Sequence, residues 1–268
     1  MTFKRWNLKA ALALAAAGLL AGCATTGPGG KKSLILIGES EERSLGAKMA
    51  AQLQAENSFV TDPAITDYVN RLGQRVARLS DRPGIPYQFK IIASKEVNAF
   101  ALPGGYVYVY TGLLKQLDTE CQLAAVLGHE TSHIVARHGV KQLQEGLGLE
   151  VLGGIIFGGS SETTKAVVGQ GLALLQRGYG RQAEREADSY GVLYTARAGL
   201  NPEGMVQVLE KLDKLSGGSG GSWETLSSDH PPAAQRAAAV RAEIREKGLD
   251  AGLPSDPNPY KNMKARLR

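Results

Sequence analysis

The 268-residue chain is 43% hydrophobic and 21% charged, with 31 Lys and Arg against 26 Asp and Glu. That composition supports one packed domain with short appendages and excludes wholesale disorder. Three of the basic residues sit in the first 22 positions, where no acid offsets them; the remainder is close to neutral, so no nucleic-acid partner is expected.

Lys4, Arg5 and Lys9 flank the start of an uncharged apolar run from Ala10 to Leu20, and Leu20-Ala21-Gly22-Cys23 closes it. The run is shorter than the roughly 20 residues of a permanent spanning helix and reads as an export leader over residues 1–22. The four residues ending in Cys23 resemble the lipobox of bacterial lipoproteins, in which the cysteine is acylated and becomes the first mature residue. The plainer alternative is a cleaved leader with an incidental cysteine. Acylated Cys23 would hold the protein to a membrane surface without spanning it. The resemblance implies a periplasmic, lipid-anchored protein, and Ala24, in place of the Asp associated with inner-membrane retention, favours the outer membrane. With Cys23 acylated, Cys121 lacks an intramolecular partner and is expected to be a small buried residue.

Residues 23–38 read as the lipidated cysteine and its Gly-rich tether. Ser40, followed by Glu41 and Glu42, is expected to cap a helix carrying Leu45, Met49 and Leu53. Asp62-Pro63 starts another, with Ile65, Val69, Leu72, Val76 and Leu79 on one face. Strands are expected over Tyr87–Ile92, Asn98–Leu102 and Tyr106–Tyr110, the last two joined by Pro103-Gly104-Gly105. Thr111 can start a short helix. Thr119 with Gln122 matches a capping box, opening a helix to about Arg137. The Gly-rich apolar stretch 146–180 reads as two helices, Leu147–Phe157 and Lys165–Leu175, packed in the core; a lid or membrane-facing patch is the alternative. Helices follow at Arg181–Arg197, from Asn201-Pro202 to Leu215, and at Ala233–Lys247. The domain is expected over 39–248, with a tail over 249–268. The fold class is α+β: mainly helical, zincin-type, with a small sheet whose edge strand borders the site.

His129-Glu130-Thr131-Ser132-His133 carries the chemistry. Side chains four apart on a helix project from one face, so His129 and His133 can hold one ion. Glu130 lies beside the pair, able to act on a metal-bound water without entering the coordination sphere. A third ligand is needed. His138 lies nine residues from His129, which on a continuous helix is the opposite face, and reads as a surface or supporting residue. Glu184 in Glu184-Arg185-Glu186-Ala187-Asp188 is the better candidate, against the alternative of a solvated acidic face. Asp188, four residues on, can accept the second ring N–H of a ligand histidine.

Asn98-Ala99-Phe100-Ala101-Leu102-Pro103-Gly104-Gly105, the His129–His133 pentapeptide, Arg181 with Glu184-x-Glu186-Ala187-Asp188-x-x-Gly191, and His230-Pro231 occur in this order. Together they resemble the CAAX-prenyl-protease-like, or HtpX-like, gluzincin metallopeptidases, over Ser40 to Arg241. The lipobox places the chain with their periplasmic lipoprotein branch, which lacks transmembrane helices. The resemblance implies one Zn2+ held by His129, His133 and Glu184, with Glu130 as general base and Asp188 in support. It implies that Asn98, Ala99, Phe100 and Ala101 form an edge to which an extended polypeptide adds as a strand. His230 would be a removable fourth ligand, against the alternative of a plain loop residue. Arg236 would face the developing oxyanion, or else pair with an acid on its own helix. Gly180, where the family often has Ser, departs from the pattern.

The expected function is a zinc endopeptidase acting on unfolded or misassembled envelope proteins, with outer-membrane assembly machinery as an expected partner. The alternative is a proteolytically latent, chaperone-like protein that holds clients along the same edge strand. A structural zinc protein is disfavoured by the open fourth position and by Glu130.

Overall fold

A computed structural model describes residues 25–26, 32–158, 162–216, 233–250, 252–254 and 258–267. The leader and Cys23 therefore lie outside the described residues, as does His230. Two short strands, β1 (Thr25–Thr26) and β2 (Lys32–Ser33), pair antiparallel. Next come helices α1 (Glu39–Glu56) and α2 (Pro63–Ala77) and strands β3 (Gln88–Ile92), β4 (Ala99–Leu102) and β5 (Tyr106–Tyr110). They are followed by α3 (Thr111–Gln116), α4 (Glu120–Val135), α5 (His138–Leu147), α6 (Leu149–Phe157), α7 (Glu162–Gln176), α8 (Arg181–Arg197), α9 (Glu203–Ser216), α10 (Ala233–Lys247) and α11 (Asn258–Lys264). The α+β, mainly helical expectation holds.

The caps follow local chemistry with one exception. Asp62 accepts from the Ala64 amide at 2.9 Å, and Thr119 accepts from the Gln122 amide at 3.2 Å. Ser40 does not cap α1: the cap residue is Gly38, and the Ser40 hydroxyl donates to Glu41 at 2.8 Å. Leu45, Met49 and Leu53 on α1, and Ile65, Val69, Leu72 and Val76 on α2, are buried as their spacing predicts. Leu79 is exposed because α2 stops at Ala77, before the helical phase reaches it.

The sheet has the order β3-β5-β4: β5 pairs parallel with β3 and antiparallel with β4. The β4–β5 hairpin turns through Gly104 (φ +80°) and Gly105 (φ +108°), backbone that side chains rarely adopt. β4 is thus an edge strand. One core cluster packs α2, the sheet and α4 together, and another packs α1, α5, α6 and α7 over the opposite side of the sheet. A smaller cluster joins α9 and α10 to α4 and α8.

Two further expectations need correction. The helix through the pentapeptide ends at Val135, and the chain turns through Arg137, at φ 57° the described non-glycine residue with positive φ, into a separate helix α5. The segment after residue 248, expected as a tail, contains α11, whose Tyr260 is fully buried and donates to the Leu114 carbonyl at 2.5 Å. Its Met263 joins the same cluster as α2 and α4, so this part of the tail is packed structure.

Helix α4 runs through the middle of the molecule, buried from Cys121 to Val135. It meets α8 backbone to backbone. A methyl on Gly191 would sit 2.9 Å from the His129 amide nitrogen, and one on Gly128 would sit 2.8 Å from the Gly191 carbonyl oxygen. Gly191→Ala is therefore expected to lower the unfolding free energy by about 1–3 kcal/mol through overpacking. An unchanged urea midpoint would show that the crossing tolerates a side chain.

Candidate metal centre

The glycine crossing sets the distance between two ligand-bearing helices. On α4, helical spacing turns His129 and His133 to the same side, with the two Nε2 atoms 3.1 Å apart. On α8, Glu184, Ala187, Asp188 and Gly191 form the buried stripe while Arg181, Gln182 and Arg185 face solvent. Glu184 lies in the first turn of α8, where the helix dipole favours a carboxylate. Its Oε2 is 3.6 Å from His129 Nε2, and its Oε1 is 3.6 Å from His133 Nε2.

These three side chains are buried and offer one donor atom each within 4.8 Å of one another. A tetrahedral ion with bonds of about 2.0–2.1 Å spaces its ligands roughly 3.3–3.4 Å apart, and the separations seen here bracket that value. Two imidazole nitrogens with a carboxylate form a donor set that zinc favours.

The charge balance agrees. Glu130, Glu184 and Asp188 are buried, and Arg236 is the buried cation that faces them. Among the described residues, with neutral imidazoles, the three carboxylates and one guanidinium leave two negative charges, which match a divalent ion.

Asp188 lies behind the ligands. Its Oδ1 is 3.0 Å from His129 Nδ1. A ring that donates Nδ1–H to Asp188 keeps its Nε2 lone pair for the centre. Burial alone would lower the His129 pKa, but the Asp188 hydrogen bond and the Glu184, Asp188 and Glu130 charges raise it above the ordinary value. The field that draws a proton to Nε2 draws a metal cation equally.

Arg236 departs from one of its two expected pairings. It pairs with two acids of α8 rather than with an acid of its own helix. Its Nε and Nη2 donate to the two Asp188 oxygens, each at 2.7 Å, and Nη1 lies 3.0 Å from Glu184 Oε2. Burial would raise the Asp188 pKa, but the bidentate guanidinium and His129 hold it well below the usual carboxylate range. The arrangement is a relay: Arg236 fixes Asp188, and Asp188 fixes His129.

His138 is not on an opposite face. The turn at Arg137 brings it back, with its Nδ1 2.9 Å from His133 Nδ1. Tyr179, which sequence reasoning missed, stacks on the His133 ring at 4.1 Å between centroids and lies tilted to His138 at 5.8 Å. Its local signal was a lone aromatic between Gly178 and Gly180, the former at φ +82°. His133 and Tyr179 line a cleft with Ala101, Leu102 and Pro103 of the edge strand and its turn. In that strand the side chains of Phe100 and Ala101 are buried while Asn98 and Ala99 are half-buried, so Phe100 and Ala101 have only backbone to offer a ligand. Cys121 is buried, as expected.

A sequence model described as peptidase family M48 matches residues 63–244. The beta-barrel assembly-enhancing protease of Escherichia coli K12 is 32% identical over 190 residues, which cover 67% of this chain and 39% of that protein. Metalloprotease LoiP of the same organism is 29% identical over 221 residues, covering 80% and 84% of the two chains. Metalloprotease YcaL, also from that organism, is 26% identical over 255 residues, covering 89% and 98%. The matched region thus spans about two-fifths of the assembly-enhancing protease and most of the other two.

Replacing Arg236 by Ala leaves two buried carboxylates without their cation, with an expected loss of about 3–5 kcal/mol in the metal-free protein at neutral pH. Because the folded Asp188 pKa is depressed, the contribution is complete above the ordinary value of about 3.9 and is lost as pH falls toward the folded value. Urea titrations of parent and variant at a series of pH values would show the gap closing in acid; a constant gap would exclude the ion pair as its source.

Proposed function

Because the chain belongs to peptidase family M48, we propose that it is a zinc-dependent endopeptidase of the cell envelope that cleaves unfolded or misassembled envelope proteins. The observation that carries this reading is the buried convergence of His129 Nε2, His133 Nε2 and a Glu184 carboxylate, with Glu130 on the same helix beside the pair. Bound by those three residues, zinc would supply Lewis-acid polarisation of a scissile carbonyl and acidify water. Glu130 takes the water proton and returns it to the leaving amine. Asp188, held by Arg236, keeps His129 in the tautomer that binds through Nε2. Arg236 lends its positive charge to this side of the site while its donors remain on Asp188 and Glu184.

Substrate enters as an extended chain along β4, whose outer side has no strand partner among the described residues. Backbone pairing there reads few side chains, which suits unfolded polypeptides of varied sequence. Residues Asn98 to Ala101 supply that edge. His230 is proposed as a removable ligand that holds the resting site closed.

The envelope assignment is supported by the leader, by the lipobox-like sequence ending in Cys23, and by relatives that include a beta-barrel assembly-enhancing protease. No described helix is long and apolar enough to cross a membrane. Residues 1–22 are the leader, acylated Cys23 is the anchor to the outer membrane, and 23–38 are the tether. The same comparison supports the proposed link to outer-membrane assembly machinery.

Cleavage of casein or an unfolded envelope protein is expected to require metal and to stop with a chelator. Glu130→Gln should retain zinc by metal analysis yet lose at least a hundredfold in rate, the lower range for general-base loss. Cleavage at the parent rate would remove Glu130 as the base. Palmitate labelling in cells should vanish in Cys23→Ser; unchanged labelling would end the lipid-anchor proposal.

A further inference from the structure

Both ligand histidines have a second ring nitrogen, and the two are treated differently. His129 Nδ1 faces the Asp188 carboxylate at 3.0 Å. His133 Nδ1 faces another imidazole, His138 Nδ1, at 2.9 Å. If His133 binds through Nε2, its proton sits on Nδ1, and that N–H needs an acceptor. His138 meets the need only as a neutral ring with its own proton on Nε2.

Two features hold that geometry. Tyr179 lies over the His133 ring at 4.1 Å with an interplanar angle of 21°, blocking rotation of the imidazole out of its plane. Gly139, immediately after His138, leaves room for the Tyr179 hydroxyl, which would stand 3.3 Å from a Cβ built there. His138 itself is delivered by the Arg137 turn, whose left-handed backbone is fixed by the Arg137–Glu42 ion pair at 2.7 Å and by the Ile37 carbonyl at 2.5 Å.

The geometry points to His138 as a positioning residue for the metal centre: its Nδ1 accepts the His133 Nδ1–H and fixes the tautomer and plane of that ligand, with Tyr179 as the wall that stops the ring turning. This rests on the zinc-site reading above. It adds a neutral acceptor for one ligand beside the charged acceptor of the other. His138 neither touches the ion nor moves a proton to substrate.

The test is zinc affinity of the full chain, measured by competition with a chromogenic chelator, beside thermal unfolding by circular dichroism. Losing a supporting acceptor typically costs 10–100-fold in metal affinity, so His138→Ala is expected to bind zinc about 10–100-fold more weakly. His138→Asn, whose side-chain carbonyl can accept the same N–H, should recover most of that. Glu184→Ala separates the two readings: if it keeps full affinity, the zinc site itself is misassigned. If Glu184→Ala loses zinc while folded His138→Ala stays within threefold of the parent, only the positioning role fails. Nitrogen-15 histidine spectra of the zinc-loaded parent give a readout independent of variant folding. His133 protonated at Nδ1 and His138 at Nε2 is the expected pair, and His138 protonated at Nδ1 overturns the proposal.

Discussion

Helices α4 and α8 touch backbone to backbone where Gly128 meets Gly191, and the metal centre depends on that contact. A Cβ at either position would intrude to within 2.9 Å of the opposing backbone. The ligands sit on either side of the contact: His129 follows Gly128 directly, and Asp188 and Glu184 lie one and two turns before Gly191. A wider crossing would move Glu184 away from both histidines at once. The spacing within each helix fixes which side chains share a face, but only the glycines let the two faces meet at coordination distance.

Closeness has an electrostatic cost. Three carboxylates lie buried around the centre, and removing charge from water is unfavourable unless it is paired. Arg236 answers part of it by gripping Asp188 with two donors and reaching Glu184 with a third. Among the described residues, the charge beyond that pairing is a negative field felt at His129. That field explains why the same acids raise the His129 pKa and complete a cation site. The negative field that attracts the ion also pulls protons onto its ligands, so ion and proton compete for His129.

Much of this was legible from residue spacing. The His129–His133 pair, Glu130 between them, and the Glu184–Asp188 stripe are local helical patterns, and local patterns survive folding. The β4–β5 hairpin was legible for the same reason, because Gly104 and Gly105 mark the turn. What was not legible came from contacts distant in sequence. Arg236 finds its acids 48 and 52 positions away, with nothing in its neighbourhood to show it. The break after Val135 carries no glycine: Arg137 adopts positive φ because Glu42 and the Ile37 carbonyl, about a hundred residues earlier, hold it there. Extending α4 in an unbroken helix therefore put His138 on the wrong face. The packed helix α11 was missed because two buried residues, Tyr260 and Met263, in a short, polar, Pro-rich stretch give too brief a periodic signal.

The Arg137 turn also joins two ends of the molecule that sequence order keeps apart. Glu42 belongs to the first turn of α1, at the start of the domain, and it accepts from the Gly104 amide at 3.4 Å as well as pairing with Arg137. Arg82 pairs with it at 3.4 Å and with Glu39 at 3.0 Å, and also donates to the Ile134 carbonyl at the end of α4. One buried carboxylate thus ties together the entry into the domain, the turn of the edge hairpin and the end of the ligand helix. The Arg137 turn, which places His138 against His133, is thereby anchored to the first turn of α1. His138 opens α5 directly after that turn, whereas Asp188 lies inside α8. The two ligand histidines therefore differ in what places their acceptors: His129 faces an acid within α8, and His133 faces a ring set by the Arg137–Glu42 contact.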